Sequence, residues 1–281
     1  MPGKPSLRLI AQAFSAGSLG PKGRVSSCAR RPVSSGRDRA APILDEGSEA
    51  MAEQSGVARG VVKRGLQLLV GGAVIGVAMF LPAGRLDWWQ AWAFLAIFFG
   101  AIAFNALFVL RGDPELIAER AETKENTKGW DKAVTGAITV LTMLLLVVAG
   151  LDIRFGWSNV SPAVSVAGLL LILAGNALVS WGMAANRFFA RVVRIQEDRG
   201  QQVCSSGPYR FVRHPGYAGM IVYTPAMAIG LGSWWAAIPA LLAAACFVLR
   251  TALEDRTLRA ELPGYTDYAA RVRYRLVPGI W

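Results

Sequence analysis

The chain is 281 residues long, 53% hydrophobic and only 17% charged, below the roughly 25% charged content usual for soluble domains. Its formal net charge is +11, but the basic residues sit in loops beside long apolar runs, which fits membrane topology and anionic headgroups rather than nucleic acid. Three scattered cysteines and one histidine supply neither a disulfide framework nor a structural zinc ligand set.

Composition therefore predicts an all-α polytopic membrane protein, with the lipid bilayer as its first partner. In chain order, residues 1–58 read as a basic, disordered N-terminal tail, because stretches such as RVSSCARRPVSSGRDR have no apolar period. The same composition fits a targeting segment. MAEQSGVARG, from Met51, also reads as an ordinary start, which makes the upstream stretch a candidate over-extension. Residues 59–185 hold the first spans, and 186–281 hold a final polar region with a helical hairpin.

Six spans are predicted, at 65–82, 88–110, 133–150, 163–185, 215–231 and 234–252. LGSWW joins the last two as a tight turn. Trp88, Trp89, Trp157, Trp234 and Trp235 fall at span ends, as in an interfacial aromatic belt. Asn105 and Asn176 lie inside spans, where an interhelical hydrogen bond is the ordinary explanation. No ionisable residue falls deep within these boundaries, which argues against a proton or ion pathway.

Positive charge alternates between loops. Lys63 and Arg64, the loop with Arg111 to Lys132, the loop with Arg187 to Arg213, and the C-terminal segment with Arg250 to Arg275 are basic; the first, third and fifth connections are short and carry Arg85, Arg154 and no basic residue. This predicts both termini in the cytoplasm. Within the cytoplasmic segments, Asp113, Pro114 and Glu115 signal a surface helix over 114–122. ARVVRIQEDRGQQVC alternates around Gly200 and predicts a short β-hairpin pairing 191–196 with 201–204.

Two polar clusters then flank the final hairpin. GPYRFVRHPGYAG, residues 207–219, precedes it and contains the only histidine, His214. LEDRTLRAELPGYTDYAARVRYRLVPGIW follows it, with Arg250 and Glu254 on one helix face. Folding the hairpin back brings the clusters together at the cytoplasmic face.

These two motifs with the hairpin between them resemble the isoprenylcysteine carboxyl methyltransferase family, which belongs with the membrane phospholipid methyltransferases. The resemblance is close over 186–281 and weakest in the first two spans. It implies S-adenosylmethionine as cofactor, in a cytoplasmic pocket between the loop, the last two spans and the C-terminal segment. Carried over by position, it implies cofactor contacts from Gly207, Pro208, Tyr209, Arg213, His214, Pro215, Tyr217, Gly219, Glu254 and Asp255. It implies catalytic roles for Arg250 and Glu254, with Arg250 orienting an acceptor carboxylate and Glu254 fixing that arginine. The family commonly has Glu-Glu where this chain has Glu254-Asp255. The acceptor implied is lipid-like or prenylcysteine-like, with the methylated atom left open. Sterol and steroid reductases, which use reduced nicotinamide dinucleotides, resemble the same region and form the alternative enzyme class; a non-enzymatic membrane protein is the third.

The charge alternation yields a direct expectation. Reporter fusions at Lys124 and at Trp281 report the cytoplasm, and a fusion at Trp157 reports the opposite side. A non-cytoplasmic signal at Trp281 contradicts the six-span topology.

Overall fold

The computed structural model describes residues 65–112 and 127–281. The tail 1–58 and the expected surface helix 114–122 lie outside the described residues. Among the described residues, seven α-helices form: α1 Gly65–Ala83, α2 Trp89–Gly112, α3 Gly129–Phe155, α4 Pro162–Ala185, α5 Pro215–Gly230, α6 Ala237–Glu261 and α7 Tyr265–Arg271. Two short 3₁₀ turns, Glu197–Arg199 and Gly207–Arg210, lie between α4 and α5.

Local chemistry sets several of these boundaries. The Ser161 side chain accepts from the Val164 N–H at the start of α4, with Pro162 at the first helical position. Gly156 closes α3 in the left-handed conformation, its N–H bonded to the Asp152 carbonyl. Pro215 opens α5.

Among the described residues, five helices, α1 to α4 and α6, are long and apolar enough to cross a membrane. The predicted span 215–231 becomes α5, whose 16 residues rise only about 24 Å, short of the roughly 30 Å hydrocarbon core. It still runs between the two ends of the bundle. Glycines at 168, 175 and 182, seven residues apart on α4, meet Gly230, Gly219 and Gly216 of the antiparallel α5. A Cβ added to Gly219 would lie 2.6 Å from the Gly175 carbonyl oxygen, so the two helix backbones come into direct contact along this seam. Met79, Phe94, Leu145, Leu146, Ile172, Met227 and Leu231 form the core beside that seam.

The end of the bundle carrying the LGSWW turn is tied by Asp152. Its carboxylate accepts from the Ser158 N–H at 2.7 Å, from the Ser158 hydroxyl at 2.6 Å and from the Ser233 hydroxyl. Trp157, Trp234 and Trp235 are exposed there, as an interfacial belt requires. Trp88 departs from that expectation: it is buried and donates from Nε1 to the Leu231 carbonyl.

The predicted hairpin over 191–204 is not formed. Its backbone is used elsewhere: the Val193 N–H donates to Asp131, the Val193 carbonyl accepts from Lys128 N–H, and the Arg191 carbonyl accepts from Arg250. Gln196 and Gln201 close a tight turn instead, and Gly200 adopts the expected left-handed conformation within it.

The glycine seam sets a stability expectation. Gly219→Ala forces the α4 and α5 backbones apart and costs about 1–3 kcal/mol. Gly136→Ala, on α3 with nothing within 4 Å of the new methyl, leaves stability unchanged or raises it. Thermal unfolding in detergent checks the pair; equal midpoints contradict the seam.

Candidate active site

At the opposite end from the LGSWW turn, α6 extends past the predicted boundary at 252 and carries Arg250, Glu254 and Asp255 within the helix. The loop before α5 and the segment after α6 converge on these residues, so the two polar clusters meet as the hairpin requires.

Asp255 is the fixed point of this convergence. It is completely buried. Its Oδ1 accepts from Arg213 Nε at 2.7 Å and from the Tyr265 hydroxyl at 2.9 Å, with His214 Nε2 at 3.3 Å. Its Oδ2 accepts from Arg275 Nε at 3.0 Å, Arg259 Nε at 3.1 Å and Arg213 Nη2 at 3.2 Å. One carboxylate thus joins the 207–219 loop, α6, α7 and the C-terminal strand of chain. Arg213 adds two bonds from Nη1, to the Val272 and Arg273 carbonyls. Backbone bonds from Arg213 and His214 to Tyr274 and Arg275 complete the joint. Tyr265 donates to Asp255, so the shared His214 Nε2 carries a hydrogen in the tautomer this network selects. The Tyr265 phenol is held well above its ordinary pKa, first by burial and then by the Asp255 charge.

Arg250 is held by a different acid from the one expected. Its Nε and Nη2 make a fork to Asp131 at 2.7 and 3.1 Å, and Nη2 also donates to the Arg191 carbonyl at 2.8 Å. Glu254 makes no ion pair with it and instead accepts a short hydrogen bond from the Tyr217 hydroxyl. Asp131, on α3, is fully buried and also accepts from the Val193 N–H. It lies just outside the predicted span 133–150, in the N-terminal extension of α3.

A cavity of about 650 Å³ opens between these groups and runs into the apolar bundle. Tyr209, Arg213, His214, Tyr217, Arg250 and Glu254 line its polar end, with Tyr265 and Tyr268. Phe94, Leu146, Met183 and Met227 are among the apolar residues lining the rest. Arg250 stands over the Tyr217 ring, 5.4 Å from its centre, and His214 stacks on the same ring at 5.9 Å. Among the described residues, Arg250 Nη1, Glu254 Oε1 and His214 Nδ1 have no protein partner, although their other polar atoms are bonded.

The remaining candidates shape this end without lining the cavity. Gly207 takes a positive φ of 56° beside Ala185, and Pro208 starts the 3₁₀ turn that carries Tyr209. Tyr268 donates to the Tyr209 carbonyl at 2.6 Å and fixes that turn against α7. Pro215 opens α5, and Gly219 belongs to the glycine seam. Asp255, with both oxygens occupied by protein donors, lies behind the cavity wall.

Residues 164–261, from α4 through α6, match the phospholipid methyltransferase family model. Over 61 residues the chain is 33% identical to a "Probable protein-S-isoprenylcysteine O-methyltransferase" of Oryza sativa subsp. indica, and equally so to that of Oryza sativa subsp. japonica. Each match covers 21% of this chain and 32% of the relative, so the chain spans about a third of the length of the curated relatives it matches. These similarities bear out the family resemblance read from the sequence.

The two buried acids carry different consequences. Asp131→Ala strands the buried Arg250 guanidinium and costs about 3–5 kcal/mol. Asp255→Asn removes the charge that three arginines share and loosens the C-terminal segment, so protease cleavage after residues 271–275 accelerates while α3 to α5 stay protected. Limited proteolysis with mass spectrometry checks this; an unchanged cleavage rate contradicts the joint.

Proposed function

We propose that this protein is an integral membrane methyltransferase that uses S-adenosylmethionine and acts on a lipid-like acceptor. The observation that carries the reading is the set of three unpartnered polar atoms, Arg250 Nη1, Glu254 Oε1 and His214 Nδ1, in one cavity that continues into the apolar bundle. The family match over 164–261 supports the reaction class. The isoprenylcysteine O-methyltransferase name of the rice relatives supports an acceptor with an apolar chain and an oxygen as the methylated atom.

The residues present suit the cofactor. It brings a sulfonium cation, an ammonium, a carboxylate and ribose hydroxyls. The free oxygen of Glu254 accepts from an ammonium or a ribose hydroxyl, and the Tyr217 ring offers a negative face to a cation. His214 Nδ1 serves the polar end of the ligand. Arg213 does not, because Asp255 and two carbonyls already take its donors. When bound, S-adenosylmethionine supplies a methyl group on a sulfonium, which passes to the acceptor while the bonding pair stays on sulfur. The chain's task is alignment, which can supply much of such a reaction's barrier reduction.

Arg250 is preorganised for an acceptor carboxylate. The Asp131 fork and the Arg191 carbonyl fix its plane, and the free Nη1 edge is presented to the cavity without further side-chain ordering. Both termini lie on the cytoplasmic side in this reading, so the polar mouth receives the cofactor from the cytoplasm and the apolar part receives the acceptor from the bilayer.

Calorimetry on detergent-purified protein should give one S-adenosylmethionine site per chain and much weaker binding of nicotinamide dinucleotides. His214→Ala and Glu254→Gln each weaken cofactor binding roughly ten- to a hundred-fold. Arg210→Ala, an exposed residue packed on the Phe211 ring, is the neutral control. No binding by the unaltered protein, or equal loss in the control, contradicts the reading; preferred binding of the reduced dinucleotide favours the reductase class.

A further inference from the structure

The cavity contains a second group of unpartnered polar side chains below the charged layer. Asn176 on α4 and Thr135 on α3 both line it, with Asn105 on α2. The ordinary explanation for intramembrane asparagines, an interhelical hydrogen bond, does not apply: among the described residues neither Asn105 nor Asn176 makes any side-chain hydrogen bond. The Thr135 hydroxyl is shielded from solvent and also lacks a partner. Thr142, further along α3, shows the contrast, since its hydroxyl donates to the Ile138 carbonyl at 2.7 Å.

Helix geometry locates the group. Thr135 is four residues along α3 from Asp131, the partner of Arg250, and so about 6 Å deeper in the bundle. Gly182 packs on Pro215 and Gly216, and Asn176 is six residues deeper on α4, a rise of about 9 Å. Asn105 is seventeen residues from Trp88, about 26 Å along α2, which returns it to the level of the first turn of α5. Uncharged donors and acceptors from α3 and α4, Thr135 and Asn176, therefore stand between the charged mouth and the apolar part of the cavity, with Asn105 of α2 level with the mouth. In an apolar cavity such groups are costly unless a ligand engages them.

We propose that this collar is an acceptor-specificity subsite for an uncharged hydrogen-bonding group, an amide, placed between the methyl-accepting end of the substrate and its apolar tail. The amide of Asn176 both donates and accepts, and the Thr135 hydroxyl does the same, so together they can satisfy an N–H and a C=O. A plain hydrocarbon chain in the same position leaves them desolvated and unpaired. The collar therefore selects against unfunctionalised fatty chains as well as for the amide. This deepens the proposed function and rests on it for the identity of the ligand as acceptor.

The test uses two probes of equal chain length on the detergent-purified protein: N-palmitoylglycine, with an amide beside its carboxylate, and a straight-chain fatty acid in which methylenes replace that amide. Both place a carboxylate at Arg250. The unaltered protein binds the amide probe roughly ten- to a hundred-fold more tightly. Asn176→Leu combined with Thr135→Val brings the ratio close to one by weakening the amide probe alone, and Thr135→Val by itself lowers the ratio partway. S-adenosylmethionine binding stays unchanged in both variants. Removing unpaired polar groups from an apolar cavity also leaves the ligand-free thermal midpoint equal or higher, whereas a structural role for Asn176 lowers it. Equal binding of the two probes by the unaltered protein, loss of both probes alike in the variants, no binding of either probe, or a lowered ligand-free midpoint overturns the subsite. Discrimination between the probes without S-adenosylmethionine binding leaves the subsite standing and removes the methyltransferase reading instead.

Discussion

The charge on Asp255 is the constraint on which the polar end of the protein depends. A fully buried carboxylate is costly unless it is paired and its lone pairs are filled. Three arginines, a tyrosine hydroxyl and the histidine ring fill them here. Because those partners come from the loop before α5, from α6 itself, from α7 and from the C-terminal chain, satisfying one group fixes four segments. Asp131 repeats the solution on a smaller scale, holding Arg250 and the 190s loop to the start of α3.

This division of labour separates groups that hold from groups that are presented. Asp131, Asp255 and Arg213 spend their hydrogen-bonding capacity on the protein. Arg250, Glu254 and His214 each keep one polar atom clear of it. The side chains facing the cavity are thus oriented by bonds on their far sides, so their conformations are already ordered without a ligand. The short α5 contributes as well. At about 24 Å it brings the charged layer closer to the apolar core than a full-length span would, and the glycine seam with α4 makes that length sufficient to join both ends of the bundle.

Much of this was legible in the sequence where the signal is local. Apolar runs gave the helices, LGSWW gave the hairpin turn, and the motifs at 207–219 and 250–268 gave the convergence of polar groups and the family resemblance. The turn residues alone indicate the left-handed conformation of Gly200. What escaped was set by contacts distant in the chain. Asp131 is 119 residues from Arg250, so Glu254, four residues away on the same helix, was the natural but incorrect partner. The 191–204 hairpin failed because Asp131, Lys128 and Arg250 take its backbone groups, which no alternation pattern records. Position in the sequence puts Trp88 at the interface, yet the Leu231 carbonyl draws it inside. The seven-residue spacing of Gly168, Gly175 and Gly182 was visible, but its meaning depends on the glycines opposite.

A structure determined with S-adenosylhomocysteine, the methyl-depleted form of the proposed cofactor, tests the central claim most directly. The account predicts the ligand in the 650 Å³ cavity, touching Glu254 and His214, with Arg250 still forked on Asp131 and the Asp255 joint unchanged. A ligand seated outside the cavity, or one that takes Arg213 or Asp255 away from its protein partners, contradicts it.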